Sequence, residues 1–369
     1  MNIVFVVYGM PSGGAERTIS YLSKEFSKTE KVSIFSFSNE FFYEIDPRVN
    51  IIKCGITNDK VCLFSRIINM IKRKKRFKSF IRNNKVDIVF LMMPDKISQY
   101  ILKLRKKYNY LFVTSERANP NFRDESAQKR INNIFFKSDG IIFQTKEVTK
   151  YYPNEIINKS IVIPNAVGND IAYNISYEVE KREKVISAIG RLEEQKDYYT
   201  MIDSFYLLNK KYKDYILDIY GAGSMKSKIS NYIKTKKLDN KVFIHDPQPD
   251  ALKRIIKSTA YLLTSKFEGM PNTLLEAMAI GIPSISTNCP FGPSELIKHG
   301  ENGFLVDVGD VESITKYMIM IIEDIELAKK ISANSKCTLI TNSMEKISNN
   351  YLDYIRYIYE NSKLYKKNI

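Results

Sequence analysis

Two α/β domains, each built on a parallel sheet, are the fold class this sequence predicts, and three observations carry it. Short apolar runs of strand type alternate with amphipathic segments in two successive blocks. Glycine-bearing turns follow several of those runs, where a parallel sheet presents its carboxyl ends to ligands. Between the blocks the chain breaks at Pro164-Asn-Ala-Val-Gly168 and becomes polar and weakly periodic. The expected division is residues 1–168, a linker over 169–183, a second domain over 184–341 and a terminal helical segment over 342–369.

The elements follow in order. Asn2–Tyr8 is an apolar run leading into Gly9-Met-Pro-Ser-Gly13-Gly14-Ala-Glu16-Arg17 and an amphipathic helix to about Ser27. Gly13 and Gly14 let a backbone come close to a ligand without Cβ interference, or serve only a tight turn. Val32–Ser36 and Ile51–Cys54 read as strands. The segment Ser65–Arg82 reads as a helix with Ile67, Ile68, Ile71, Phe77, Phe80 and Ile81 at helical spacing. Strands are expected at Val86–Met92, Leu111–Thr114, Gly140–Gln144 and Ser160–Ile163. The strand at Leu111 runs into Ser115-Glu116-Arg117-Ala-Asn119-Pro120, polar groups that either line a site or make a helix cap and a surface ion pair. The second block restarts at Lys184–Ile189, with strands at Leu217–Tyr220, Val242–Ile244, Ala260–Leu263, Ser284–Ser286 and Gly303–Val306. Helices intervene, among them a short one from Asn272 that stops at Gly281, and Asn342–Tyr365 closes the chain as a tyrosine-rich helix.

Composition narrows the function classes. The chain of 369 residues carries a formal net charge of +16, and residues 1–168 hold 29 Lys+Arg against 15 Asp+Glu, a net of +14. Arg66–Lys85 alone has nine basic residues and no acid. Beside the apolar spacing of that helix, Lys72, Arg73, Lys74, Lys75, Arg76 and Lys78 suit contact with an anionic membrane surface, the plainer reading being a solvated helix face. A nucleic-acid partner would also meet a basic half, and it is the disfavoured reading. Four cysteines without metal-ligand spacing suit a reducing compartment. No apolar stretch reaches the roughly 18–20 residues that span a bilayer, and no secretion signal is recognisable, so a soluble, cytoplasmic protein is expected.

The chemistry is spread over several loops. Ser265–Gly303 holds Glu268 and Glu276, with seven residues between them, around the turn Gly269-Met270-Pro271-Asn272-Thr273-Leu274. A helix starting there offers unpaired amides and a positive dipole end to phosphate. Glu276, a turn inside, could accept from a pair of ribose hydroxyls. Gly190-Arg191-Leu-Glu-Glu-Gln-Lys196 places two cations at a strand's carboxyl end, able to clamp a diphosphate or to form an ordinary charged loop. Gly221 and Gly223 make a further close turn. The sequence holds no Asp-x-Asp pair and only two histidines, far apart at His245 and His299, so fixed cations rather than a metal are expected to balance a leaving diphosphate, and no cofactor is implied.

These residues resemble the retaining glycosyltransferases of family 4. The Gly190–Lys196 loop is similar to that family's G-R-L-x-x-x-K loop, and Glu268 through Glu276-Ala-Met-Ala-x-Gly281-x-Pro283 to its E-x7-E signature. Gly13–Arg17, Ile163–Asn165 and Gly300–Leu305 extend the resemblance over nearly the whole chain. It implies a GT-B fold, two Rossmann-like domains facing across a cleft with the last helix crossing back to the first. It further implies that Arg191 and Lys196 bind the donor diphosphate, Glu268 faces the transferred sugar, Glu276 holds the ribose, and Gly14 lies near the donor phosphates or the acceptor. Many members have a histidine in the segment matching Ser115–Pro120. None stands here, which leaves Glu116, Arg117 and Asn119, with Gly13 and Glu16, as candidates for acceptor contacts.

The implied reaction moves a hexose or N-acetylhexosamine from a nucleotide sugar, UDP-linked by expectation, to a polyprenyl-diphosphate-linked saccharide with retention of configuration. Asn288-Cys-Pro-Phe-Gly-Pro-Ser-Glu-Leu-Ile297 resembles a segment of members that build capsule, O-antigen or N-glycan on lipid, and the basic helix agrees with work at the inner face of the plasma membrane. Two alternatives stand beside it: a sugar-nucleotide 2-epimerase of the same fold, and a non-enzymatic membrane or nucleic-acid binder.

Overall fold

The computed structural model describes residues 1–11, 13–55, 63–94, 97–117, 119–168, 178–248 and 250–367. The chain divides into two compact units, Met1–Ala166 with Met344–Ile369, and Val167–Ser343. Of the expected linker, residues 169–177 lie outside the described residues, and Val179–Lys181 forms a short 3-10 turn.

The first unit is a seven-stranded sheet: β1 (Asn2–Val7), β2 (Lys31–Ser36), β3 (Asn50–Lys53), β4 (Ile88–Leu91), β5 (Leu111–Glu116), β6 (Gly140–Phe143) and β7 (Ser160–Val162). Its order is β3-β2-β1-β4-β5-β6-β7, and every pairing is parallel. Ile3–Val7 of β1 and all of β4 are unbroken apolar runs because their side chains are buried on both faces of the sheet. The crossover helices are α1 (Gly14–Phe26), α2 (Leu63–Asn83), α3 (Ser98–Tyr108), α4 (Glu125–Lys137), α5 (Lys146–Thr149) and α6 (Asn154–Ile157). α1 begins where Gly13 turns extended as its N-cap with Glu16 in the first turn, favourable at the positive helix end.

The second unit is a six-stranded parallel sheet: β8 (Glu183–Ile189), β9 (Ile216–Tyr220), β10 (Val242–His245), β11 (Ser258–Leu263), β12 (Ser284–Thr287) and β13 (Phe304–Val306), in the order β10-β9-β8-β11-β12-β13. Its helices are α7 (Tyr198–Lys211), α8 (Lys226–Thr235), α9 (Ala251–Ile255), α10 (Asn272–Ala279), α11 (Pro293–Leu296), α12 (Val311–Glu323), α13 (Ile325–Ser335) and α14 (Cys337–Thr341). One core gathers Ile186, Leu217 and Leu262 with Phe205, Ile229 and Met318, and the other gathers Tyr261 and Leu263 with Leu274, Leu275 and Met278 of α10. α10 stops two residues before Gly281, whose φ of +77° is a conformation other residues adopt only under strain.

The last helix, α15 (Met344–Lys367), belongs to the first unit. Ile347, Tyr351, Leu352 and Ile355 enter the core with Phe5, Phe26 and Phe90. The Tyr354 hydroxyl donates to the Lys159 carbonyl at 2.6 Å, and Arg356 pairs with Glu30 at 2.7 Å.

Candidate active site

In the second unit, the loops leaving β8, β11 and β12 meet at the carboxyl edge of the sheet. The β8 loop continues along the β9 loop: Gly190 N–H donates to the Tyr220 carbonyl at 3.0 Å and Leu192 N–H to the Ala222 carbonyl at 2.9 Å. A Cβ on Gly221 would overlap the Gly190 carbonyl oxygen, and one on Gly223 would overlap Leu192. The bare Cα atoms of Gly221 and Gly223 admit the neighbouring loop and set its path.

That path delivers Lys196. Its ammonium lies 2.6 Å from Glu268 Oε1, with both side chains largely buried. The fully buried Ser265 hydroxyl donates to the same oxygen at 2.5 Å. The two loops are also joined through the backbone: Gln195 Nε2 donates to the Phe267 carbonyl at 2.7 Å and Lys266 N–H to the Gln195 carbonyl at 2.8 Å. Arg191 differs from Lys196. It is exposed, and it donates to Gln195 Oε1 at 3.4 Å, a long contact that leaves the guanidinium able to turn.

Beneath the ion pair lie Tyr198, Tyr261 and Cys289, all buried. Burial pushes the Cys289 thiol up to about 12, with the Glu268 charge adding to the effect. Burial also raises both tyrosine hydroxyls above their ordinary range, so they stay protonated. Tyr261 donates to the Ile189 carbonyl at 3.2 Å and lies within the field of both Glu268 and Glu276.

α10 starts at Asn272 after Pro271, its N-cap, which makes no side-chain capping hydrogen bond, so the positive end of the helix dipole opens at this turn. Gly292, at φ +90°, brings its Cα against the Gly269 carbonyl and Pro271 and so fixes the turn before the helix. Glu276 is buried on the same helix. Met270 and Leu274 carry core side chains, so only their backbone can face a ligand, a distinction the sequence motif does not make.

In the first unit, the carboxyl edge gathers a different set. The Gly13 carbonyl accepts from Tyr43 Oη at 3.1 Å, and the Glu16 carboxylate folds back over Gly13, where a Cβ would collide with it. Gly14 is exposed as the first residue of α1. Glu116 departs from the expected lining role. It is buried, forms a two-pronged ion pair with Arg123 at 2.5 and 2.6 Å, and accepts from Tyr152 at 2.5 Å. Burial opposes the charge on Arg123, and the carboxylate overcomes it, so the guanidinium is held above its usual range. Arg117 stands at the edge and donates to neutral atoms: Met92 Sδ at 3.1 Å, Thr18 Oγ1 at 3.1 Å and Asn165 Oδ1 at 2.6 Å. The buried Asn119 caps the turn at Asn121, and its Nδ2 has no partner among the described residues.

On α2, Lys72, Lys75, Arg76 and Lys78 are exposed together with Ile67, Met70 and Ile71. Lys74 is half-buried over the Tyr100 ring. Arg73 is corrected out of the exposed face: it is only 6% exposed, stacks on Tyr8 at 4.6 Å and hydrogen-bonds the Tyr8 hydroxyl.

Comparison with known proteins places this geometry. Residues 172–337 match the family model described as Glycosyl transferases group 1. The chain is 29% identical over 279 residues, 67% of its length and 68% of the relative's, to the uncharacterized glycosyltransferase MJ1059 of Methanocaldococcus jannaschii. It is 24% identical over 95% of its length and 98% of the relative's to a Campylobacter jejuni N-acetylgalactosamine-N,N'-diacetylbacillosaminyl-diphospho-undecaprenol 4-alpha-N-acetylgalactosaminyltransferase. Among solved structures, Alr3699/HepE of Anabaena in complex with UDP and glucose superposes with a TM-score of 0.79 at 15% identity, over 96% of this chain and 99% of that one. That likeness shows the fold, which is GT-B.

Proposed function

We propose, starting from the group 1 glycosyl transferase domain that residues 172–337 form, that this protein moves a hexose or N-acetylhexosamine from a UDP-sugar to a polyprenyl-diphosphate-linked saccharide, with retention of configuration. The observation that carries the reading is the meeting of Lys196 and Glu268 at 2.6 Å in the same unit as the uncapped start of α10. A cation, a carboxylate and a helix N-terminus are what a leaving diphosphate and a sugar ring need.

In this reading Lys196, Arg191 and the amides of Asn272, Thr273 and Leu274 hold the donor diphosphate, Glu276 takes the ribose hydroxyls, and Glu268 takes hydroxyls of the transferred sugar as a positioning group. The bond from the anomeric carbon to the phosphate oxygen breaks, and the acceptor oxygen bonds to that carbon on the same face. The acceptor's hydroxyl proton passes to the departing phosphate oxygen. Negative charge growing on the diphosphate is stabilised by fixed cations and amides rather than by a metal. The acceptor is assigned to the first unit through Gly13, Gly14, Arg117 and Asn119. The exposed Ile67, Met70 and Ile71 beside Lys72, Lys75, Arg76 and Lys78 support lodging of α2 at an anionic membrane, on its cytoplasmic face. Relatives that act on undecaprenol-linked sugars support the acceptor class.

A donor screen with UDP-, GDP- and ADP-sugars and a polyprenyl-diphosphate-linked acceptor, with and without EDTA, tests this. Transfer from a UDP-sugar, unaffected by EDTA, is expected. Appearance of an epimerised sugar nucleotide without acceptor overturns the transferase reading, and strict metal dependence overturns the cation reading.

A further inference from the structure

Glu268 holds two donors on one oxygen. Lys196 Nζ at 2.6 Å and Ser265 Oγ at 2.5 Å both point at Oε1, while Oε2 accepts no hydrogen bond among the described residues. The two donors are not equivalent. Lys196 sits on a loop and carries the charge that a diphosphate would draw on. Ser265 is neutral, fully buried and locked, because its carbonyl accepts from Thr287 Oγ1 at 2.6 Å and the next residue's N–H is tied to Gln195. Glu268 itself is tethered by its N–H to the Pro290 carbonyl at 3.3 Å.

We infer that Ser265 is a positioning residue of the transfer reaction. By holding Oε1 it presents Oε2 of Glu268 to the hydroxyls of the transferred sugar, and it keeps doing so when Lys196 turns to the donor phosphates. This rests on the reading above that Glu268 faces that sugar. A carboxylate held by one fixed hydrogen bond loses rotational freedom, which matters most where the sugar must be aligned for reaction.

Three proteins are compared, the wild type, Ser265→Ala and Ser265→Thr, each assayed for transfer from a UDP-sugar and for UDP binding by calorimetry. The alanine variant is expected to lose about 10-fold or more in kcat, the scale of one hydrogen bond to a charged group. Its donor KM and UDP affinity are expected to stay within about twofold of wild type, since uniform binding is untouched. The threonine variant, which keeps a hydroxyl, is expected to recover most of the rate. A wild-type kcat in the alanine variant overturns the inference. So does a parallel loss of kcat and UDP affinity that threonine does not repair, which would make Ser265 a packing residue only. A wild-type protein that binds UDP yet transfers nothing overturns the transferase reading instead, and the two failures are distinguishable.

Discussion

The Lys196–Glu268 pair makes donor binding a competition at the level of single atoms. An ammonium already bonded to a carboxylate at 2.6 Å has to be shared or released before it can serve a phosphate. Replacing Glu268 by Gln removes the competing charge, so UDP affinity by calorimetry is expected to rise by roughly 3- to 10-fold while transfer falls steeply. Replacing Lys196 by Ala takes away the cation and leaves Glu268 buried without its counter-charge. Transfer is expected to drop by about 100-fold or more with far-UV circular dichroism unchanged, and near-normal activity would remove Lys196 from the site. The motif spacing named both residues, but not their contact. A sequence does not state that two loops 72 positions apart share a hydrogen bond, nor that Ser265 completes it. Glu116 was open to two readings in the sequence. Its place after a strand suited either a ligand-facing carboxylate or an ion pair, and in the fold Arg123 and Tyr152 use both of its oxygens.

At the level of elements, alternation and turn chemistry made the strands legible, since a short apolar run such as the one from Ile88, bounded by Asp87 and Pro94, has few other uses. The helices α3 and α4 were less visible because their apolar faces are interrupted by lysine, arginine and asparagine that the crossover leaves in solvent. On α2 the helix was evident but its orientation was not. Burial falls to Phe77 and Ile81 with Arg73 turned inward, and Ile67 and Ile71, which look like core residues in the sequence, face outward. Changing Lys72, Lys75, Arg76 and Lys78 to Gln should weaken co-sedimentation with anionic vesicles by at least about 10-fold, with turnover on a soluble acceptor preserved. Unchanged vesicle binding would end the interfacial reading of α2. The glycine turns give a second test at this scale. Gly221→Ala must push a methyl into the Gly190 carbonyl, so a stability loss of about 1–3 kcal/mol is expected in denaturant unfolding.

For the whole molecule, the first unit is assembled from two distant stretches of chain, Met1–Ala166 and Met344–Ile369. Ile355 is fully buried on α15 within the core of that unit, so Ile355→Ala should cost about 2–5 kcal/mol and lower the melting of the first unit selectively. The resemblance to a known family foresaw the returning helix, whereas composition and periodicity alone showed only an amphipathic tail.

The same helix also imposes an order of events on the ribosome. The seven-stranded sheet of the first unit is synthesised before the second unit, yet the face that Tyr351 and Ile355 cover stays open until α15 emerges after that unit. The second unit, continuous from Val167 to Ser343, can close its core in the meantime. A nascent chain stalled before Met344 would therefore expose Phe90 and its neighbours to chaperones and proteases, so closure of the first unit waits on residues made after the second.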